Sequence, residues 1–225
     1  QFIKFFGGIS GLGIQTIGLI PVQPFGGRRI LEQAKKIGVD SLPIVTLVAF
    51  FLGMIIALQT AYIMQKMSSE IYIASIVAVS LTRELGPVIT ALIVAGRCGA
   101  GITAELGTMS VTEQVDALST LGSNPIKYLV VPRFLSLTFM LPILTIFADA
   151  IGIFGGYLLC VYRLSIRSST YMNMTFQSLV YKDLFTGLIK TVFFGMIIAL
   201  VACYEGLNVK GGAEGVGKAT TKSVV

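Results

Sequence analysis

The sequence predicts an all-α, polytopic integral membrane protein, and three observations carry that prediction. Of its 225 residues 54% are apolar and only 12% charged, against roughly 25% charged in soluble domains. The mean hydropathy is +0.84, too high to clothe a globule in polar surface. Four apolar stretches, 42–65, 71–96, 130–162 and 184–204, each reach the length of about 20 residues that a helix needs to cross the hydrocarbon layer.

Composition also excludes whole classes of function. A soluble enzyme is ruled out by the hydropathy. The sequence has no histidine, so zinc-hydrolase, His-dependent triad and haem readings lose their usual ligand or base. Cys98, Cys160 and Cys203 lie within or at the ends of apolar stretches, odd in number and without C-x-x-C spacing; they read as small packing residues. The formal charge of +6 marks a cytoplasmic membrane side facing anionic lipids, not nucleic acid.

Residues 1–40 read as an interfacial segment. Gln1 to Pro24 mixes phenylalanines with glycines and prolines, too broken for a span. From Arg28 to Gly38, Ile30, Leu31, Ala34 and Ile37 follow helical spacing, while Arg28, Arg29, Lys35 and Lys36 lie largely off that stripe. That pattern fits a basic amphipathic helix on the headgroups, with a solvated linker helix as the alternative.

Ser41-Leu-Pro43 opens the first span, because proline is tolerated in a first turn, and no charge follows until Lys66. The second span is interrupted by Arg83-Glu-Leu-Gly-Pro87 and runs into the small-residue stretch Ala95 to Gly101, a composition that lets helices approach closely in a bilayer. The third stretch is too long for one upright span and too short for two. It predicts a tilted or bent helix, with Pro142 and Gly155-Gly156 as bending points. A polar excursion from Arg163 to Asp183 precedes the fourth span.

Lysines and arginines outside the spans set the orientation. With the N-terminus in the cytoplasm, Lys4, Arg28, Arg29, Lys35, Lys36, Arg97, Lys127, Arg133, Lys210, Lys218 and Lys222 fall inside, and only Lys66, Arg163, Arg167 and Lys182 opposite. The 97–133 and 206–225 segments are then cytoplasmic.

Within the 105–122 loop, Ser110 and Glu113 have the spacing of an S-x-x-E capping box, Val111, Val115 and Leu118 form one apolar face, and Gly122 supplies a stop. A short surface helix is expected, with Glu113 and Asp116 on an acidic face suited to docking a cytoplasmic partner. The alternative is a loop helix lying on the protein's own surface.

Buried charge is the other signal. Arg83 lies about 18 Å along its helix from Ile71, and isolated charges at mid-bilayer cost ~2.5 kcal/mol or more each. Successive helix positions diverge by about 100°, so Arg83 and Glu84 are expected to find different partners or to line a polar cavity; a structural ion pair is the competing reading. Pro87 leaves the Arg83 carbonyl without its helical donor. Asp149 and Lys190 add one charge of each sign and could pair, unless Lys190 snorkels to the interface. On the first span, Gln59 and Tyr62 share a face, placed either to meet an amphiphile's headgroup or for ordinary helix-to-helix hydrogen bonding. Gly212 to Ala219 approaches the phosphate-loop pattern, but Ala219 replaces the magnesium-binding hydroxyl and no strand precedes it. Gly152-x-x-x-Gly156 suits close helix packing.

Several motifs, in order, belong together: Leu81-Thr-Arg-Glu-Leu-Gly-Pro-Val88, Ala95-Gly-Arg97, Thr103-Ala-Glu-Leu-Gly107, Val111-Thr-Glu-Gln114, Pro132-Arg-Phe134 and Ala219-Thr-Thr-Lys-Ser-Val-Val225. Through them the chain resembles, over nearly its whole length, the MlaE/YrbE permeases of ABC-type lipid transporters, with relatives in chloroplasts. The resemblance implies a single permease domain over 1–225, forming a homodimer in the bacterial inner membrane. Each copy would bind one cytoplasmic ABC ATPase through a coupling helix, here 110–121. ATP and Mg would sit on that partner, with no cofactor on this chain. On the opposite side it implies a periplasmic MCE-domain protein, with the membrane lipids to be moved held in a cavity between the two copies.

Carried over by position, Gln59, Tyr62, Arg83, Glu84 and Lys190 would be the polar elements of cavity and gate. Glu105, Ser110, Glu113, Gln114, Asp116 and Leu118 would couple to the ATPase. Family members continue past Val225 into a further membrane helix, so a sequence cut short at that end, as at its methionine-less start, is the expectation. Two other classes compete with a lipid permease: an ion- or proton-coupled carrier relaying through Arg83, Glu84, Asp149 and Lys190, and a scaffold that anchors a complex without transporting.

Overall fold

The computed structural model describes residues 2–20 and 27–225, and no strand occurs among them. Eleven α-helices follow one another among the described residues: α1 (Phe2–Leu19), α2 (Gly27–Gly38), α3 (Leu42–Lys66), α4 (Ile73–Ser80), α5 (Gly86–Val94), α6 (Ala100–Val111), α7 (Gln114–Thr120), α8 (Val131–Leu164), α9 (Ser168–Ser178), α10 (Tyr181–Leu207) and α11 (Gly212–Lys222). The π-helical turns Leu81–Leu85 and Ala95–Gly99 join α4, α5 and α6 without a break, and a third, Ile126–Val130, leads into α8. Four helical stretches are long and apolar enough to cross a membrane: Gly27–Lys66, Glu70–Val111, Ile126–Leu164 and Tyr181–Leu207. The chain is a multi-pass, all-α membrane protein.

The helix starts and stops follow sequence chemistry in part. Ser41 precedes α3 with Pro43 in its first turn, as expected. α8 runs through Pro142 as one 34-residue helix. Three stretches differ from the sequence reading. The glycine-rich start is not broken: α1 is a continuous helix whose Gly8 lies against the Tyr204 ring and whose Gly13 lies on Leu200, so packing outweighs poor propensity. Pro21 and Pro24 lie outside the described residues. The polar excursion holds α9, and the polar tail folds as α11, which begins at Gly212 after Gly211 at φ 93°. The near-match to a phosphate loop is thus the start of a helix.

By their internal contacts the residues divide into two compact units. One comprises Gln1–Asp40, Val94–Met140 and Phe193–Val225, the other Ser41–Ile93 and Leu141–Val192. The second has a core of Ala57, Ala61, Ile73, Ala74, Val77, Leu81, Cys160 and Tyr171. Its helices meet backbone to backbone. A Cβ on Gly53 would overlap the Gly152 carbonyl, and one on Gly155 the Phe50 carbonyl, so the Gly152-x-x-x-Gly156 spacing serves the close packing expected of it. α9 is held there by Tyr171, 1% exposed, whose hydroxyl donates to the Ile153 carbonyl at 3.3 Å. Burial pushes that hydroxyl's pKa up, so it remains a donor.

The first unit is stitched by polar bonds between helices. Thr103 Oγ1 donates to the Ala202 carbonyl at 3.1 Å and Ser136 Oγ to the Ile30 carbonyl at 2.8 Å. Gly107 makes room for Val209 and Val216, seating α11 on α6. The three cysteines are free and buried.

Candidate functional site

The π turn Leu81–Leu85 presents the principal candidate. Just beyond it Pro87 has no N–H to offer, and the orphaned Arg83 carbonyl accepts from Lys190 Nζ at 3.0 Å. The same Nζ meets Glu84 Oε2 at 2.7 Å. Arg83 Nε lies 3.6 Å from Glu84 Oε1, and Arg83 Nη1 lies 3.9 Å from Asp183 Oδ1. Lys190 and Asp183 both come from α10.

Two sequence expectations are corrected here. Arg83 and Glu84 do face each other, because the wider i→i+5 turn reduces the angle between successive side chains and both side chains are long. Lys190 pairs with Glu84, not with Asp149, and the anion that brings two cations and two anions to neutrality is Asp183. The side chains of Arg83 and Glu84 are 55% and 58% exposed. The pair is therefore not a dry, closed contact: a charged patch opens onto a surface whose neighbours Val88, Leu92, Phe185 and Ile189 are exposed and apolar.

Gln59 and Tyr62 are exposed on α3, and Lys66 Nζ lies over the Tyr62 ring at 4.3 Å. Among the described residues neither bonds to Arg83, Glu84 or Lys190. Asp149 stands apart from the patch, 7% exposed, with Oδ1 unpartnered and facing Gly86, where a Cβ would overlap it.

The second candidate is α7. The Ser110–Glu113 capping box does not form. Ser110 belongs to α6, and its hydroxyl donates to the Leu207 carbonyl at 3.2 Å, a tertiary bond that outcompetes the local one. α6 runs on to Val111, Glu113 turns the chain in the left-handed region at φ 59°, and the surface helix is Gln114–Thr120, shorter than expected. It stops at Gly122, φ 74°, with Ser123 N–H bonding the Leu118 carbonyl at 3.1 Å. Glu113, Gln114 and Asp116 are exposed, and Val115 and Leu118 half-buried, so the acidic face is presented as expected.

Glu105 lies on α6 in a cluster that sequence reading missed. Its Oε2 meets Arg133 Nη2 at 3.1 Å and Lys36 Nζ at 3.4 Å. Arg133, 6% exposed in its side chain, also donates to the Leu129 carbonyl at 2.7 Å. A similar tie joins Lys222 to the buried Glu205 at 2.7 Å. Partners so far apart in sequence leave no local signal beyond the presence of a charge in an apolar run.

The described residues thus combine four apolar stretches long enough to span a membrane with a charged cluster at a π turn and a short, exposed acidic helix. The family model described as Permease MlaE matches residues 30–225. A probable ABC transporter permease protein of Rickettsia prowazekii is 50% identical over 225 residues, all of this chain and 87% of that one. One from Synechocystis sp. is 41% identical over 198 residues, 88% of this chain and 75% of that one. The intermembrane phospholipid transport system permease protein MlaE of Haemophilus influenzae is 35% identical over 229 residues, all of this chain and 88% of that one. With a family match and full-length relatives at this identity, the chain belongs to the MlaE permease family.

Proposed function

We propose that this chain is the permease subunit of an ABC transporter that moves phospholipids or similar amphiphiles between membranes. The observation that carries the reading is the half-exposed Arg83–Glu84–Lys190–Asp183 patch among exposed apolar side chains. Its cations can take a headgroup phosphate and its carboxylates a headgroup amine, while acyl chains lie along Val88, Leu92, Phe185 and Ile189. The full-length likeness to a phospholipid transport permease supports the same substrate class. Gln59 and Tyr62 extend the polar lining in the assembled protein.

In this proposal ATP and Mg are bound by a separate cytoplasmic ATPase, which docks on α7 through Glu113, Gln114, Asp116 and Leu118, with Ser110 and Glu105 bracing the end of α6 that leads into it. The whole chain acts as one permease domain, in a homodimer within the bacterial inner membrane, with its N-terminus in the cytoplasm and an MCE-domain protein on the periplasmic side. The distribution of lysine and arginine supports that orientation.

The test is ATP-dependent lipid transfer by the reconstituted complex. Arg83→Gln, Glu84→Gln and Lys190→Gln, at normal expression, are expected to abolish transfer while the ATPase still co-purifies. Unchanged transfer, or transfer driven by a proton gradient without ATP, overturns the reading.

A further inference from the structure

The basic face of α2 takes no part in the candidate transport site. Four cations, Arg28, Arg29, Lys35 and Lys36, share this 12-residue helix with one anion, Glu32. Glu32 is taken by Arg28 at 3.0 Å, and Lys36 by Glu105 at 3.4 Å. Arg29 stacks its guanidinium on the Tyr128 ring at 3.5 Å, which leaves its charge uncancelled. Lys35 is exposed and has no ion-pair partner among the described residues.

The helix is also held in one orientation. Ile37 and Gly38 are buried, Met140 packs on Gly38, and Ser136 bonds the Ile30 carbonyl. The outward side carries Leu31, 72% exposed, between Arg28 and Lys35 along the helix, and Val39, 53% exposed, in the turn that follows α2. Only the three-residue turn Val39–Ser41 separates α2 from the 25 residues of α3, an apolar membrane span. A cationic helix so close in sequence to a span sits at headgroup level, where anionic lipid attracts it.

We propose that α2 binds the headgroups of anionic phospholipids of the surrounding membrane through Arg28, Arg29 and Lys35, with Leu31 and Val39 dipping among the acyl chains, as a standing lipid site separate from the cargo. The uncancelled cations of α2, its exposed Leu31 and Val39, and its place three residues before an apolar span together favour a lipid headgroup with its acyl chains as the occupant. The site does not depend on what the transporter carries.

The experiment is native mass spectrometry of the purified complex titrated with dioleoylphosphatidylglycerol or dioleoylphosphatidylcholine. Phosphatidylglycerol is expected to be retained preferentially, the preference falling with salt and by about fivefold for each charge removed in Arg28→Gln, Arg29→Gln and Lys35→Gln. Lys35→Arg retains it. Lys218→Gln, on the exposed α11 pair with Glu214, leaves it unchanged, and the unfolding temperatures of Arg28→Gln and Lys35→Gln stay at the parent value, while Arg29→Gln, which loses its stack on Tyr128, falls slightly. Equal retention of the two lipids, the same loss in Lys218→Gln, or displacement of phosphatidylglycerol by millimolar inorganic phosphate overturns the proposal. So does release of the ATPase in place of lipid by the triple variant, which makes α2 a protein-docking face.

Discussion

Arg83, Glu84 and Lys190 meet at a π turn with the arginine and glutamate more than half exposed, whereas Glu105 meets an arginine whose side chain is 6% exposed. The residue types are the same, and the physical situations are opposite. A buried guanidinium left without its carboxylate is strongly destabilising, so the fold depends on the Glu105–Arg133 contact far more than on the exposed Glu84. Charges on an open surface contribute little to stability, so the Arg83–Glu84–Lys190 cluster is not what holds its helices together. Burial, not charge, is what separates the two clusters.

Substitutions at the two clusters and at the tight backbone contacts should differ in size and sign. The largest expected effect on stability is from Glu105→Ala, which leaves Arg133 buried without a carboxylate and costs ~3–5 kcal/mol; thermal unfolding in detergent reads it, and an unchanged midpoint shows that the arginine is not neutralised by Glu105. Next is Gly53→Leu, which forces a side chain into the Gly152 carbonyl and costs about 1–3 kcal/mol, measured the same way. Glu113→Gly is smaller and of opposite sign: it relieves a left-handed φ of 59° and stabilises by up to ~1 kcal/mol. Glu84→Gln leaves the unfolding midpoint in place and removes lipid transfer. A variant that lost both equally would place Glu84 with Glu105.

The four spans were legible because apolar length alone selects a bilayer helix. The Arg83 carbonyl was legible too, since a proline four residues on must leave it unbonded. The identity of its partner was not: Lys190 is 106 residues from Glu84, and Asp183 lay in what read as a polar loop. α9 and α11 escaped because what holds them is extensive packing on α4 and α6, with the Tyr171 and Val216 side chains in those contacts, and sequence alone does not show which partner covers a helix so polar. Ser110 and Glu113 show the reverse failure, a sound local pattern overridden by a bond to Leu207.

Pro87 gives the lysine at 190 a second allegiance. No change of protonation or rotamer can restore an amide hydrogen to a proline, so the Arg83 carbonyl keeps an acceptor site for Lys190 whether or not the lysine is also bound to Glu84. A helix with alanine at 87 would mend its own ladder and set the lysine adrift, with every charge in the patch still in place.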